Sequence, residues 1–236
     1  MNNIGFPYRI FFLGDAAITV EYSNYIDESI NREVMARFHE LRQYPLPGMT
    51  DAVPAYSSIT IHFDVMALKK MIPKLKPAFE WMKQLLEERL QQPLPQYSEE
   101  KNLVKIPVCF DEDFATDIEQ LARAKKISVE KVIQIYTAKI YKVYMLGFLP
   151  GFPYMGEVDD LISFPRKPQP VQITEGSVGI AGKQTGIYPV SSPGGWNIIG
   201  RSPLKLFDAV KEDPAFLKAG DLVQFFTISK NEFENY

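Results

Sequence analysis

The side chains able to do chemistry are concentrated in residues 147–201: GFLPGFPYMG, then PRKPQP, then EGSVGIAGKQTGIYPVSSPGGWNIIGR. Gln184 brings an amide with two donors and an acceptor. Arg166 and Arg201 can each clamp an anion bidentately, and Tyr188, Ser192 and the backbone N–H groups of Gly194 and Gly195 add donors. Such a set can fix a carboxylate or an amide, and it is rich in donors but poor in nucleophiles. Gln184, Arg166 and Arg201 are therefore the candidate catalytic residues. Phe148, Pro150, Gly151, Phe152, Tyr154, Lys183, Thr185, Tyr188, Ser192, Pro193, Gly194, Gly195 and Trp196 are candidate contacts for a substrate or partner. Glycine and proline every few residues force tight turns and close approaches, which excludes a long helix. The interleaved aromatics set the segment apart from a disordered linker and point to a walled pocket or groove. Plainer readings stand beside these: Tyr188 and Trp196 as barrel-end packing, SPGGW as a turn, and Arg166 as a solvated loop charge.

Other familiar chemistries fit poorly. In EGSVGIAGKQTG the first glycine that a phosphate loop requires is Ser177, its closing Ser/Thr is Gln184, and Gly186 with Pro189 blocks the following helix. Lys183 then reads as an exposed turn lysine. Cys109, the one cysteine, sits between Val108 and Phe110 on an expected strand and reads as a small buried hydrophobe. A lone cysteine excludes an internal disulfide and zinc sites of the CxxC kind, and no paired His/carboxylate spacing for a metal is present. The two histidines, His39 and His62, lie far in sequence from the signature. Lys/Arg against Asp/Glu count 10 to 13 in residues 1–100 and 16 to 16 thereafter, so no basic stripe marks a nucleic-acid footprint. No run approaches the roughly 18 apolar residues of a membrane span, and the N-terminus lacks a signal-peptide pattern, so a cytoplasmic protein is expected.

The elements that must position the signature follow from periodicity. With 236 residues, 46% of them hydrophobic and 13% aromatic, the chain has material for one large or two small folded domains. Residues 8–22 read as two extended runs around Gly14-Asp15. Ile26, Ile30, Val34, Phe38 and Leu41 then recur at helical spacing behind Asp27, a good N-cap. Residues 56–63 alternate as a half-buried strand. A second helix, broken early by Pro73 and Pro77, carries Phe79, Met82, Leu85, Leu86 and Leu90 on one face. The polar, Pro-bearing segment 93–102 is the best linker, separating a domain over 1–92 from one over 103–236. Beyond it, KIPVCF reads as a strand, DFATDIEQLARAKK and SVEKVIQIYTAKI as helices, and YKVYMLGF as a strand. SVGIAG, WNIIGR and DLVQFFTI complete a set of short strands separated by turns, as in a small β-barrel.

At GFLPGFPYMG, FPRKPQP, GSVGIAGKQTGIYPVSSPGGWNIIGR and KAGDLVQF the chain closely resembles the KipI/PxpB family, also described as allophanate hydrolase subunit 1 or carboxyltransferase subdomains C and D. The resemblance extends over essentially the whole chain. It implies an α+β fold: a small N-terminal α/β domain, expected to be ferredoxin-like, then a cyclophilin-like β-barrel. It also implies a B-type subunit of a 5-oxoprolinase, which opens the lactam of 5-oxo-L-proline to L-glutamate with ATP, working with A-type and C-type partner subunits. The alternative, from KipI itself, is a regulatory protein that binds and inhibits a sensor histidine kinase. A prolyl-isomerase reading rests on fold analogy alone. Against the family pattern, this chain has Phe110-Asp111-Glu112 for a Tyr-Gly-Gly turn, Tyr136 for a histidine, and Lys183 where AGGQ becomes AGKQ.

Overall fold

The computed structural model describes residues 6–72, 77–94 and 102–236. They fall into two compact units, residues 1–99 and 100–236. Residues 95–101 of the expected linker, and Pro73, lie outside the described residues.

In the first unit, β1 (Arg9–Phe12) and β2 (Ala17–Glu21) form an antiparallel hairpin. Gly14 takes φ 66 in its turn, a left-handed backbone that glycine adopts without steric cost. Helix α1 (Glu28–Gln43) starts where Asp27 accepts from the N–H groups of Ser29 and Ile30, which satisfies two of the orphan donors of the first turn. Strands β3 (Met49–Pro54) and β4 (Ser58–Phe63) follow, then α2 (Val65–Met71) capped by Asp64, and α3 (Ala78–Leu90). The sheet order is β1-β2-β4-β3, antiparallel throughout. The element order β-β-α-β-β-α-α differs from the β-α-β-β-α-β of a ferredoxin-like unit, because the edge strand beside β2 precedes it in the chain. Ile18, Val20, Ile59, Ile61, Val34, Leu41, Met82 and Leu86 make the core. Beside it, Arg37 is 2% exposed and donates to Glu40 and to the carbonyls of Arg89 and Gln92, tying the end of α3 to α1.

The second unit opens with β5 (Leu103–Val108), α4 (Ile118–Lys125), α5 (Val129–Ala138), β6 (Ile140–Leu146) and β7 (Pro153–Gly156). Then come β8 (Val171–Ile173), β9 (Ser177–Ala181), β10 (Gln184–Ile187), β11 (Ser192–Gly194), β12 (Asn197–Arg201), β13 (Leu222–Thr227) and α6 (Lys230–Glu234). Seven strands form one sheet in the order β12-β9-β10-β7-β6-β13-β5, with β13 and β5 parallel. The sheet curls into a nearly closed barrel. Its ends meet at Cys109 and Arg201, whose N–H groups donate to each other's carbonyls at 2.8 and 2.9 Å. Closure of this kind removes the exposed edge that an open sheet would present. Ile106, Tyr136, Tyr141, Val143, Met155, Val178, Ile180, Ile187, Ile199 and Phe225 fill the interior, each large apolar side chain contributing about 1.5–3 kcal/mol by burial. β8 and β11 form a separate two-stranded ribbon.

Candidate functional site

Side chains alternate across a strand, and that alternation builds the site. Along β10, Thr185 and Ile187 turn inward, while Gln184 and Gly186 face out. Gly186 is paired with Gly179 of β9, and Gln184 with Ala181 and with Gly156 of β7. The paired glycines leave a floor with no side chains, over which aromatic rings lie. A Cβ on Gly186 would stand 2.8 Å from Cζ of Phe152, and one on Gly179 would stand 3.1 Å from Cβ of Trp196.

Phe152 is the hub of this cluster. Its ring meets Tyr154, Tyr188 and Trp196 edge-on, with centroids 5.0, 5.1 and 5.2 Å away, and Phe148 at 5.7 Å. Such edge-to-face pairs add about 0.5–1.5 kcal/mol each beyond burial. The loop between β6 and β7 presents Phe148. Leu149 N–H donates to the Gly147 carbonyl at 2.8 Å, closing a three-residue turn with Phe148 at its centre and φ 67. A phenylalanine with positive φ is strained, yet the residue is 61% exposed. Gly151, at φ 78, carries the chain back under Phe207, where a Cβ would lie 3.1 Å from that residue's Cβ. Pro150 is exposed between them.

Arg166 is the cation of this surface. Its Nη2 lies 3.6 Å from where a Cβ on Gly195 would stand, and the Lys167 N–H donates to the Gly195 carbonyl at 2.8 Å. Burial pushes the Tyr188 hydroxyl up to about 12, against the opposing pull of the Trp196 backbone N–H and of Arg166. Burial raises Tyr154 as well, again opposed by Arg166. Both phenols are thus neutral donors beside a guanidinium. Gly194 is required where it stands, because a Cβ there would lie 2.3 Å from the Tyr188 oxygen. Ser192 and Pro193 belong to the β8–β11 ribbon: Ser192 is buried, with Oγ facing the Pro193 carbonyl at 3.4 Å, while Pro193 is exposed.

Three sequence candidates stand elsewhere. Thr185 is fully buried inside the barrel, donating to the Gly179 carbonyl at 2.9 Å and accepting from Tyr136 at 2.7 Å. Lys183 sits in the β9–β10 turn, paired with Asp160 at 2.8 Å. Arg201 makes contacts that share no residue with those of Arg166. Its Nε donates to the Glu175 carbonyl at 2.8 Å, and its guanidinium lies over the rings of Phe114 and Phe233. Asp117, which no sequence pattern marks, stands at the start of α4 without capping it. Asp117 accepts instead from the Ile198 N–H at 2.6 Å and pairs with Lys167 at 2.7 Å. Neither partner has a local sequence signal. Cys109 is 1% exposed, with its thiol pushed up by burial. Among the described residues no group of three or more His, Cys, Asp or Glu side chains could hold a metal, and no helix is long and apolar enough to cross a membrane.

The family model described as carboxyltransferase domain, subdomain C and D, matches residues 8–217. The chain belongs to that family. Among relatives of this carboxyltransferase C and D chain, a Bacillus subtilis protein named as the B-type subunit of 5-oxoprolinase is 41% identical over 97% of this chain and 96% of its own length. An Escherichia coli O157:H7 protein of the same name is 30% identical, over 92% of this chain and 94% of its own. A solved structure of a conserved protein from Pyrococcus horikoshii, PH0987, is 35% identical and superposes with a TM-score of 0.55, covering 95% of this chain and all of that one. At position 136 the C and D chain has a tyrosine with no exposed surface. Its ring stacks on Phe225 with centroids 4.9 Å apart, and burial holds its hydroxyl well above the usual phenol range. In this chain the position is part of the barrel core.

Proposed function

We propose that this chain is the B-type component of an ATP-dependent 5-oxoprolinase, hydrolysing 5-oxo-L-proline to L-glutamate together with A-type and C-type subunits. The observation that carries the reading is the near full-length match to relatives of that name at 41% and 30% identity. The chemistry of the surface supports it. A lactam is resonance-stabilised, and opening it calls for preorganised donors at the carbonyl oxygen as negative charge develops there. Arg166, exposed beside Tyr154 and Tyr188, brings a charged donor to the aromatic surface, and Gln184, two residues from Gly186 on the same face of β10, brings a neutral one. The buried Cys109 thiol is no nucleophile for the reaction.

The β9–β10 turn does not fit a nucleotide phosphate: Gly182 leads into a hairpin rather than a helix, and Lys183 is engaged by Asp160. No step through ATP is therefore assigned to this chain's residues, and nucleotide chemistry falls to the assembled enzyme. Phe148, exposed at the tip of its turn and edge-on to Phe152 and Tyr188, carries the aromatic cluster out to the surface, which suits it to contact a partner subunit. The test is reconstitution. Glutamate release from 5-oxo-L-proline and ATP by co-expressed A-type, B-type and C-type subunits should vanish when this chain is omitted. A complex that assembles and releases none would overturn the reading, and inhibition of a sensor kinase's autophosphorylation by the chain alone would favour the KipI-like alternative.

A further inference from the structure

Arg201 has no carboxylate partner among the described residues. Its Nε is used by the Glu175 carbonyl, and the guanidinium is held with its carbon 5.9 and 5.6 Å from the ring centroids of Phe114 and Phe233. Both Nη groups are left unspent. The side chain lines a pocket of about 150 Å3 together with Thr116, Lys167, Thr174 and Ser177. The one acid lining this pocket, Asp113, pairs with Lys230, and Asp117 behind it pairs with Lys167 at 2.7 Å while accepting from Ile198 N–H; Glu175 and Glu234 stand with Arg201 on a neighbouring pocket instead. Within this pocket's own lining Arg201 is thus the cation without a carboxylate partner, held against two half-buried aromatic faces. A single charge suits a monoanion. The volume corresponds to about five waters, well below the roughly 300–1,000 Å3 of pockets for drug-sized ligands.

We propose that this pocket is a binding site for a small carboxylate of amino-acid size. The carboxylate accepts a forked pair of hydrogen bonds from the two Nη groups of Arg201, and the hydroxyls of Thr116, Thr174 and Ser177 line the space for the rest of the molecule. α6 takes part by holding Phe233 over the guanidinium, anchored through Lys230 to Asp113. The site shares none of the Arg166 contacts. Only the choice of 5-oxo-L-proline as the probe rests on the function proposed above; the preference for a small carboxylate does not.

The test is an amide NMR titration of the full chain alone, without ATP or partner subunits. The probes are 5-oxo-L-proline, acetate, inorganic phosphate, and 2-pyrrolidinone, which has the same lactam ring without the carboxylate. Saturable shifts at Thr116, Thr174 and Ser177 are expected with 5-oxo-L-proline and acetate but not with 2-pyrrolidinone. Arg201→Lys, which keeps the charge and loses the fork, should weaken binding about tenfold, and Arg201→Gln should abolish it. If Arg201→Gln fails to fold, Arg201→Lys still reads the fork. No shifts at these amides, equal binding by 2-pyrrolidinone, phosphate binding without carboxylate binding, or unchanged affinity in Arg201→Lys would each overturn the proposal. Carboxylate binding with no turnover by the assembled complex would leave this site standing and remove the oxoprolinase reading.

Discussion

Replacing Gly186 with alanine should collapse the aromatic surface without touching a polar group. An added Cβ would meet the Pro153 carbonyl oxygen at 2.7 Å and Phe152 at 2.8 and 3.0 Å. The carbonyl belongs to the neighbouring strand and cannot rotate away. Phe152 has no free direction either, being boxed in by Tyr154, Tyr188 and Trp196. Overpacking of this kind costs typically about 1–3 kcal/mol, offset by about 0.4–1 kcal/mol from the stiffer unfolded chain. A net loss of roughly 1–2 kcal/mol corresponds to a melting temperature lower by roughly 4–8 °C for a unit of this size. Gly147→Ala is the internal control, because its Cβ would meet only Met145 and Tyr154, at 3.6 and 4.0 Å, ordinary contact distances. Scanning calorimetry of both variants decides the matter, with the Trp196 fluorescence of Gly186→Ala reporting displacement of the cluster. Equal melting temperatures, or an unaltered Trp196 environment in Gly186→Ala, would refute the glycine-floor argument.

Three further outcomes follow from the same geometry. Tyr136→Phe should lower stability by about 1 kcal/mol, for the lost bond to Thr185, while leaving turnover of the assembled enzyme unchanged; a collapse of kcat at constant KM would instead make Tyr136 a proton-transfer group. The raised Tyr188 pKa makes the unfolded state lose its proton first, so its contribution to stability is intact below pH 10 and is lost as pH rises through about 12; a Tyr188→Phe variant should show a shallower alkaline loss between those values in urea melts, and an unchanged slope would contradict the assignment. Lys183→Ala should leave the melting temperature and the KM for ATP of the assembled enzyme as they are, whereas a raised KM would show that the lysine leaves Asp160 to meet a phosphate.

Much of this architecture is legible in the chain because local signals and burial agree. Gly14-Asp15 marks the first hairpin, Asp27 starts α1 by capping it, and the alternation of Ile59, Ile61 and Phe63 is that of β4 with its inward face. KIPVCF, SVGIAG, WNIIGR and DLVQFFTI contain or overlap β5, β9, β12 and β13. What escaped had weak local signals. β3 is an edge strand, largely exposed and ending in Pro54, and α2 has only seven residues behind Asp64. The ribbon β8–β11 has three residues a side and gains its order from pairing across about 20 positions of chain, from Ile173↔Ser192 outward. Barrel closure through Cys109 and Arg201 joins residues 92 positions apart, which no periodicity can report.

For the site, the aromatic and glycine content of 147–201 was informative because rings need a floor without side chains and sharp turns need positive φ. Three-dimensional placement then separated residues that composition had grouped. Thr185 faces the core because it lies one residue from Gln184 on a strand of period two. Arg166 and Arg201, expected alike to clamp an anion, serve different places. Lys167, followed by Pro168 in a loop and paired with an aspartate 50 residues earlier, gave no signal of its pocket.

The most direct measurement is ATP-dependent glutamate release from 5-oxo-L-proline by the purified three-component complex, with and without this chain and with Arg166→Gln in its place. Full dependence on the chain is expected, with a fall of at least about tenfold in kcat/KM for Arg166→Gln, the loss of one charged hydrogen bond at the developing oxyanion. Undiminished turnover without the chain, or with Arg166→Gln, would contradict the proposed function.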